Sequence, residues 1–235
     1  RTGAIPAVGA KYFAKNNIKV LSEIGAGVIG RACVAALMAV LKQVEEIRIY
    51  DINQEAAQKY CQELSETYGV RVVAVESVEA AVRGADVINV ATAGAVSPEI
   101  HDEWLKEGVL LTLPASAALS LDTMKSSRIV VDNWKMYEAY AQELRGLPGG
   151  YAANLSGICG YLMDLVESGE IPQKDIVNLG DVIAGKQECR RNDRERVIFI
   201  MDGMPIEDLA WGYTVYENAK KMGLGTKLNL WEKTR

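Results

Sequence analysis

Hydrophobic and polar positions follow two alternating rhythms between Lys19 and Asp132. Short runs rich in β-branched residues recur at Val20 to Ile24, Ile47 to Tyr50, Val70 to Val75, Asp86 to Ala91, Val109 to Leu113 and Arg128 to Asp132. Their length and composition predict strands. Between them, Val28 to Leu41 is apolar on more than one face, as a buried helix is. Gln54 to Tyr68 places Ala57, Tyr60, Cys61 and Leu64 at helical spacing, and Val78 to Val82 predicts a short helix ending near Gly84. Strands alternating with helices imply right-handed crossovers and a parallel sheet covered on both faces. The fold class read from this pattern is α/β with a doubly wound parallel sheet.

Beyond Asp132 the rhythm changes. Asn133 to Leu144 reads as an aromatic-rich helix, and Arg145 to Gly150 as a breaker. Ile158 to Ser168 and Asp175 to Ile183 look helical, Val197 to Met201 strand-like, and Glu207 to Met222 a long helix closed by Gly223 and Gly225. The domain organisation expected is an opening segment 1–18, a nucleotide-binding domain 19–206, and a helix and tail 207–235 reaching toward a second domain.

Composition narrows the class. Against 31 acidic side chains stand 26 basic ones, a net charge of −5. Basic residues are scattered among carboxylates, so a nucleic-acid partner is not expected. The most apolar window, Val28 to Leu41, contains Arg31 and is too short to cross a bilayer, so no membrane partner is expected. Cys33, Cys61, Cys159 and Cys189 form no CxxC pair and read as reduced thiols of a cytoplasmic protein. With His101 as the single histidine, no metal site is expected.

The sharpest motif is Gly25-Ala26-Gly27-Val28-Ile29-Gly30, with a strand before it and a helix after it. In the Rossmann-type arrangement Gly25 permits the tight turn, Gly27 leaves room for a pyrophosphate, and Gly30 lets helix and strand pack closely. Ala26, Val28 and Ile29 complete the loop, whose helix N-terminus favours phosphate. The bland alternative is a structural turn that binds nothing. Asp51 lies 21 residues beyond Gly30 at the end of the second strand, with Ile52 beside it. A carboxylate there suits the two ribose hydroxyls of NAD and repels a 2′-phosphate. Its competing roles are loop residue or helix cap, a task Asn53 can also perform. Ala91, Thr92 and Ala93 end the fourth strand, and Pro114 ends the fifth, at the edge where such sheets bind ligands. Late in the chain, Asp202 and Asp208 are candidates for proton exchange, while Glu207 suits the start of the last helix.

Several segments together resemble the ornithine cyclodeaminase/μ-crystallin family, which includes NAD-dependent alanine dehydrogenases. They are Arg1-Thr2-Gly3-Ala4 with Ala10-Lys11-Tyr12, Ile24 to Gly30, Leu179-Gly180-Asp181-Val182-Ile183-Ala184-Gly185, Phe199 to Leu209 and Gly223-Leu224-Gly225-Thr226. The resemblance implies a homodimer, and a second domain built mostly from about a hundred residues upstream of Arg1, which would make this chain the carboxyl-terminal portion of a longer polypeptide. It also implies that Arg1 clamps a substrate carboxylate, a role its planar fork suits, with Lys11 of the same segment at the substrate. Two departures stand out. Thr112 to Ala118 lacks the aspartate of cyclodeaminating members, and the family's late Ser-x-Gly is Met201-Asp202-Gly203 here. The first leaves hydride transfer open and counts against ornithine cyclodeamination.

The expectation is an NAD(H)-dependent oxidoreductase that moves a hydride at the amine- or imine-bearing carbon of an amino or imino acid, with Asp202 as its catalytic candidate. Alternatives are a cyclodeaminase with internally recycled NAD and a non-catalytic nicotinamide-binding protein of the crystallin type.

Overall fold

The computed structural model describes residues 1–94, 96–155 and 157–228. Two compact units share them: Thr2–Asp202, and Arg1 together with the chain from Gly203 onward.

In the larger unit, eight strands form one parallel sheet: β1 Val20–Ile24, β2 Glu46–Tyr50, β3 Arg71–Ala74, β4 Val87–Val90, β5 Leu110–Leu113, β6 Arg128–Val131, β7 Val177–Asn178 and β8 Val197–Ile200. Their spatial order is β3-β2-β1-β4-β5-β8-β6-β7. Helices cover both faces. On one side lie α1 Ala4–Phe13, α2 Val28–Val40 and α3 Gln54–Tyr68; on the other, α4 Val78–Val82, α5 Leu121–Ser126, α6 Trp134–Leu144, α7 Gly150–Asn154 and α8 Ile158–Glu167. Helix α9, Leu179–Ile183, joins the first group. Strand side chains sort between two cores by the period-two rule. Along β8, Val197 and Phe199 enter the α1–α2 core while Ile198 and Ile200 enter the α6–α8 core.

Local signals explain the helix ends. Asn53 accepts the Ala56 N–H at 3.1 Å to start α3, and Gly69, with φ +63°, stops it. Ser77 caps α4 and Asn133 caps α6 in the same way.

Three segments differ from the sequence pattern. Residues 4–13, read as an opening segment, form α1, whose Ile5, Ala10 and Phe13 are buried. A Cβ on Gly3 would meet Ala32 of α2, so the small residue sets the close approach of the two helices. Asp175 to Ile183 is not one helix. Val177–Asn178 pairs with β6, and Ile176 and Val177 enter opposite cores, a strand's behaviour in too few residues to show a period. Finally, the strand-like run near 200 is a strand whose place the sequence pattern left open: it enters the middle of the sheet, between β5 and β6.

At the amino-terminal edge of the sheet, Asp86 fastens the base of β1 and β4. It accepts the backbone N–H groups of Lys19 (2.8 Å) and Val20 (3.0 Å) and pairs with Lys106 (2.6 Å) and Lys15 (3.1 Å).

The smaller unit is dominated by α10, Pro205–Lys221. Proline begins it, and the Glu207 carboxylate accepts the Met204 N–H at 3.2 Å. Among the described residues, no helix is long and apolar enough to cross a membrane.

Candidate functional site

The glycine loop joins the end of β1 to the start of α2. Gly25 adopts φ +118°, and its N–H donates to Tyr50 O at 2.8 Å, tying the turn to β2. A Cβ there would stand 2.6 Å from Ala91 O, so a side chain would push β4 away. Gly27 is different: among the described residues nothing lies within 4 Å of its notional Cβ. It faces open space at the N-terminus of α2, where the first N–H groups have no preceding turn to accept them. A Cβ on Gly30 would collide with the Gly25 carbonyl and come within 2.8 Å of Glu23 Oε1. The three glycines thus have three separate reasons, and only Gly27's is space for a ligand. Apolar side chains of the loops that leave β1, β2 and β4 are exposed: Val28 is 84% exposed and Ile52 88%, with Ile29 and Val96 also exposed.

Asp51 is not an idle carboxylate at the end of β2. Its Oδ2 accepts the Ala26 N–H at 2.7 Å and its Oδ1 the Asn53 N–H at 2.8 Å. Arg31 holds the other side of the same loop residue, its Nε donating to Ala26 O at 3.2 Å. The Arg31 guanidinium lies 4.3 Å from the Tyr60 ring centroid and pairs with Glu63. Each carboxylate oxygen of Asp51 keeps a second acceptor position, so loop anchoring and two hydroxyl donors are compatible. Asn53, not Asp51, caps the following helix.

Beside this loop, Ala91, Thr92 and Ala93 leave β4, with Ala91 N–H bonded to Ile24 O at 2.8 Å. Pro114 leaves β5, and the next residue, Ala115, donates to Val90 O. In the stretch that lacks an aspartate, Ser116 Oγ accepts the Ile158 N–H at 3.1 Å, which fixes the start of α8. Asp202 follows β8, which pairs with both β5 and β6. It is exposed, and its N–H donates at 2.9 Å to Oδ2 of the buried Asp132. Burial and then the adjoining Asp202 carboxylate push the Tyr140 hydroxyl up to about 12. Burial, with Asp202 adding to it, likewise pushes the Cys159 thiol up to about 12, so it is a packing residue and not a nucleophile. The larger unit therefore gathers Gly25, Ala26, Gly27, Val28, Ile29, Asp51, Ile52, Ala91, Thr92, Ala93, Pro114 and Asp202 along the carboxyl edge of its sheet.

Lys11 is not brought to that edge. It lies exposed near the end of α1, 5.7 Å from the Tyr12 ring centroid, toward the end of the helix from which Lys15 reaches Asp86.

In the smaller unit, Arg1 meets Asp208 through two parallel bonds, Nε to Oδ1 at 2.6 Å and Nη2 to Oδ2 at 2.8 Å. Nη1 adds a bond to Glu207 at 3.3 Å. Of the five guanidinium N–H groups these use three, leaving two. Asp208, a proton-exchange candidate by sequence, is instead the carboxylate that orients Arg1.

Sequence reasoning missed two features. Asp132 was noticed only as a strand end. Glu23, Asn89 and Thr112 each lie wholly buried at a matched position on β1, β4 and β5. The signal was available: Asn89 and Thr112 are each a lone polar residue inside an apolar run, and Glu23 lies with Ser22 inside another.

Residues 1–223 match the ornithine cyclodeaminase/mu-crystallin family. An alanine dehydrogenase of Archaeoglobus fulgidus is 31% identical over 97% of this chain and 65% of its own length. The structure of Thermococcus litoralis Δ1-pyrroline-2-carboxylate reductase, in complex with NADH and L-proline, superposes with a TM-score of 0.77 at 29% identity, over 97% of this chain and 66% of that one. An archaeal alanine dehydrogenase dimer with bound NAD gives 0.78 at 29% identity, over 98% and 67%. The chain thus spans about two thirds of the length of each. The succession of matched segments and the glycine loop's setting agree with these likenesses, and the chain belongs to the ornithine cyclodeaminase/mu-crystallin family.

Proposed function

We propose that this chain supplies the NAD(H) site and part of the substrate site of an oxidoreductase that transfers a hydride at the amine- or imine-bearing carbon of an amino or imino acid. The observation that carries the reading is Gly27, whose α-carbon faces open space at a helix N-terminus with Asp51 beside it. That combination fits a pyrophosphate and an unphosphorylated adenosine ribose. When bound, the nicotinamide supplies the hydride acceptor or donor. Val28, Ile29 and Ile52 would cover its apolar parts, and Ala91, Thr92, Ala93 and Pro114 would let it lie against the strand ends. Arg1, oriented by Asp208, would hold the substrate carboxylate through its two remaining N–H groups. Asp202 would take a proton from the substrate ammonium, or return one to the imine nitrogen. Ser116's use in fixing α8, with no carboxylate in its stretch, weighs against cyclodeamination. In this proposal the enzyme works as a homodimer in the cytoplasm.

The test uses NAD with L-alanine, L-proline and L-ornithine, and NADH with the corresponding imino acids, following the near-ultraviolet absorbance of reduced nicotinamide. Net turnover with one substrate is expected. NADH binding without any net absorbance change, but with ammonia released from ornithine, would replace this reading by cyclodeamination. With no binding at all, the cofactor assignment fails. Arg1→Lys should raise KM about tenfold or more with a smaller change in kcat, because it removes a bidentate contact to the carboxylate.

A further inference from the structure

Beneath the glycine loop runs a buried polar chain across the three central strands. Glu23 is in register with Asn89, and Asn89 with Thr112. The Asn89 amide bridges the other two, 2.8 Å from Glu23 Oε2 and 2.7 Å from Thr112 Oγ1. Thr112 Oγ1 lies 3.3 Å from Ile88 O. Glu23 Oε1 is buried with no partner among the described residues, directly under Gly30 at the start of α2.

An ionised carboxylate in this position would have one amide donor and, among the described residues, no cation, and such a charge is strongly disfavoured. A neutral acid, however, needs an acceptor for its proton. The two ends of an amide have the same shape, so the available hydrogens decide which end faces Glu23. With nitrogen toward Glu23, the acid's proton finds no acceptor, and the single Thr112 proton faces both Asn89 Oδ1 and Ile88 O. With oxygen toward Glu23 each bond of the chain has its own proton: Glu23 O–H donates to Asn89 Oδ1, one Asn89 Nδ2–H to Thr112 Oγ1, and Thr112 O–H to Ile88 O.

Resting on the reading of the glycine loop as a diphosphate site, we infer that Glu23 is a neutral, proton-donating positioning residue. It supports Gly30 and the first turn of α2 from below without setting a negative charge under the phosphates. The groups packed around it are neutral near pH 7. From α2, Cys33 is buried, and burial pushes its thiol up to about 12. From α3, burial raises the Tyr60 hydroxyl as well. Ser22 and Thr112 carry no charge, and Arg31 is turned away to Tyr60 and Glu63. A carboxylate under the loop would oppose a diphosphate, by about tenfold in affinity for one charge at ~10 Å.

Two measurements test this. Infrared spectra of the full chain, at a pH where surface carboxylates are ionised, should contain the C=O stretch of a protonated carboxyl group, and Glu23→Gln should abolish it. If the wild-type chain lacks that band, the inference is overturned. Glu23→Gln, a neutral donor of the same shape, should leave NADH affinity at pH 7.5 within about twofold. A gain near tenfold would mean that the native chain carries a charge there and would overturn the inference as well. Failure of the wild-type chain to bind NADH would sink the diphosphate reading, while the infrared band would still decide the state of Glu23. Should Glu23→Gln not fold, Asn89→Leu serves as the second variant: it removes the acid's acceptor and should shift the same band without abolishing it, and an unshifted band would overturn the inference.

Discussion

Glu23 and Asp86 are both buried carboxyl groups of the central strands, and they live in opposite circumstances. Asp86, at the amino edge, is met by two backbone N–H groups and two ammonium groups. Burial alone would raise its pKa, but Lys106, the Val20 and Lys19 N–H groups and Lys15 outweigh it and pull the value down to about 2. Glu23, near the carboxyl edge, has one amide neighbour, and burial holds its pKa well above the usual carboxylate range. Depth alone therefore does not fix the state of a buried acid; the donors around it do. The acid that only has to hold strands together carries its charge, and the acid directly beneath the proposed phosphate loop is kept neutral.

The comparison breaks first at Asp86. Asp86→Ala leaves two lysines and two N–H groups without their acceptor and should cost about 3 kcal/mol in chemical denaturation. The native contribution is fully present above the unfolded aspartate's pKa near 3.8 and is lost as pH falls through about 2, so the variant should lack that acid transition. Gly30→Ala should cost about 2 kcal/mol by driving a methyl into the Gly25 carbonyl and Glu23, and should weaken NADH binding with it. Gly27→Ala, which meets no atom, should leave stability unchanged and lower NADH affinity alone.

Glu23→Gln sharpens the contrast through its sign. A raised carboxyl pKa stabilises the fold fully below the unfolded value near 4.5, and that contribution declines as pH rises toward the folded value. The glutamine variant should therefore gain on the wild type above pH 5, with a slope approaching about 1.4 kcal/mol per pH unit, and match it near pH 4. The smallest effect belongs to Asn53→Ala, which removes one helix cap for about 1 kcal/mol and should leave the Asp51–Ala26 contact in place. Loss of NADH binding in that variant would show that Asp51 cannot hold the loop without its neighbour.

What could be read from the chain depended on how far each signal reached. The glycine loop, its flanking strand and helix, and Asp51 lie within one βαβ unit, so local pattern sufficed. Helix α1 has little local helix signal, because Gly3 and Gly9, poor helix formers, stand where it packs on Ala32 and the Phe199 ring. Two residues of β7 cannot display a period. The Asp208–Arg1 pairing joins residues at opposite ends of the sequence, and the Glu23–Asn89–Thr112 chain joins three strands. Their partners are set by the order of strands in space, which no single run of residues records.

The position of β8 has a consequence for the birth of the molecule. Its residues leave the ribosome after those of β5 and β6, yet it lies between them and bonds to both. Until Ile200 emerges, the nascent sheet has a gap one strand wide, with apolar strand edges exposed on either side. A chain interrupted before that point would present two open edges ready to pair with another copy.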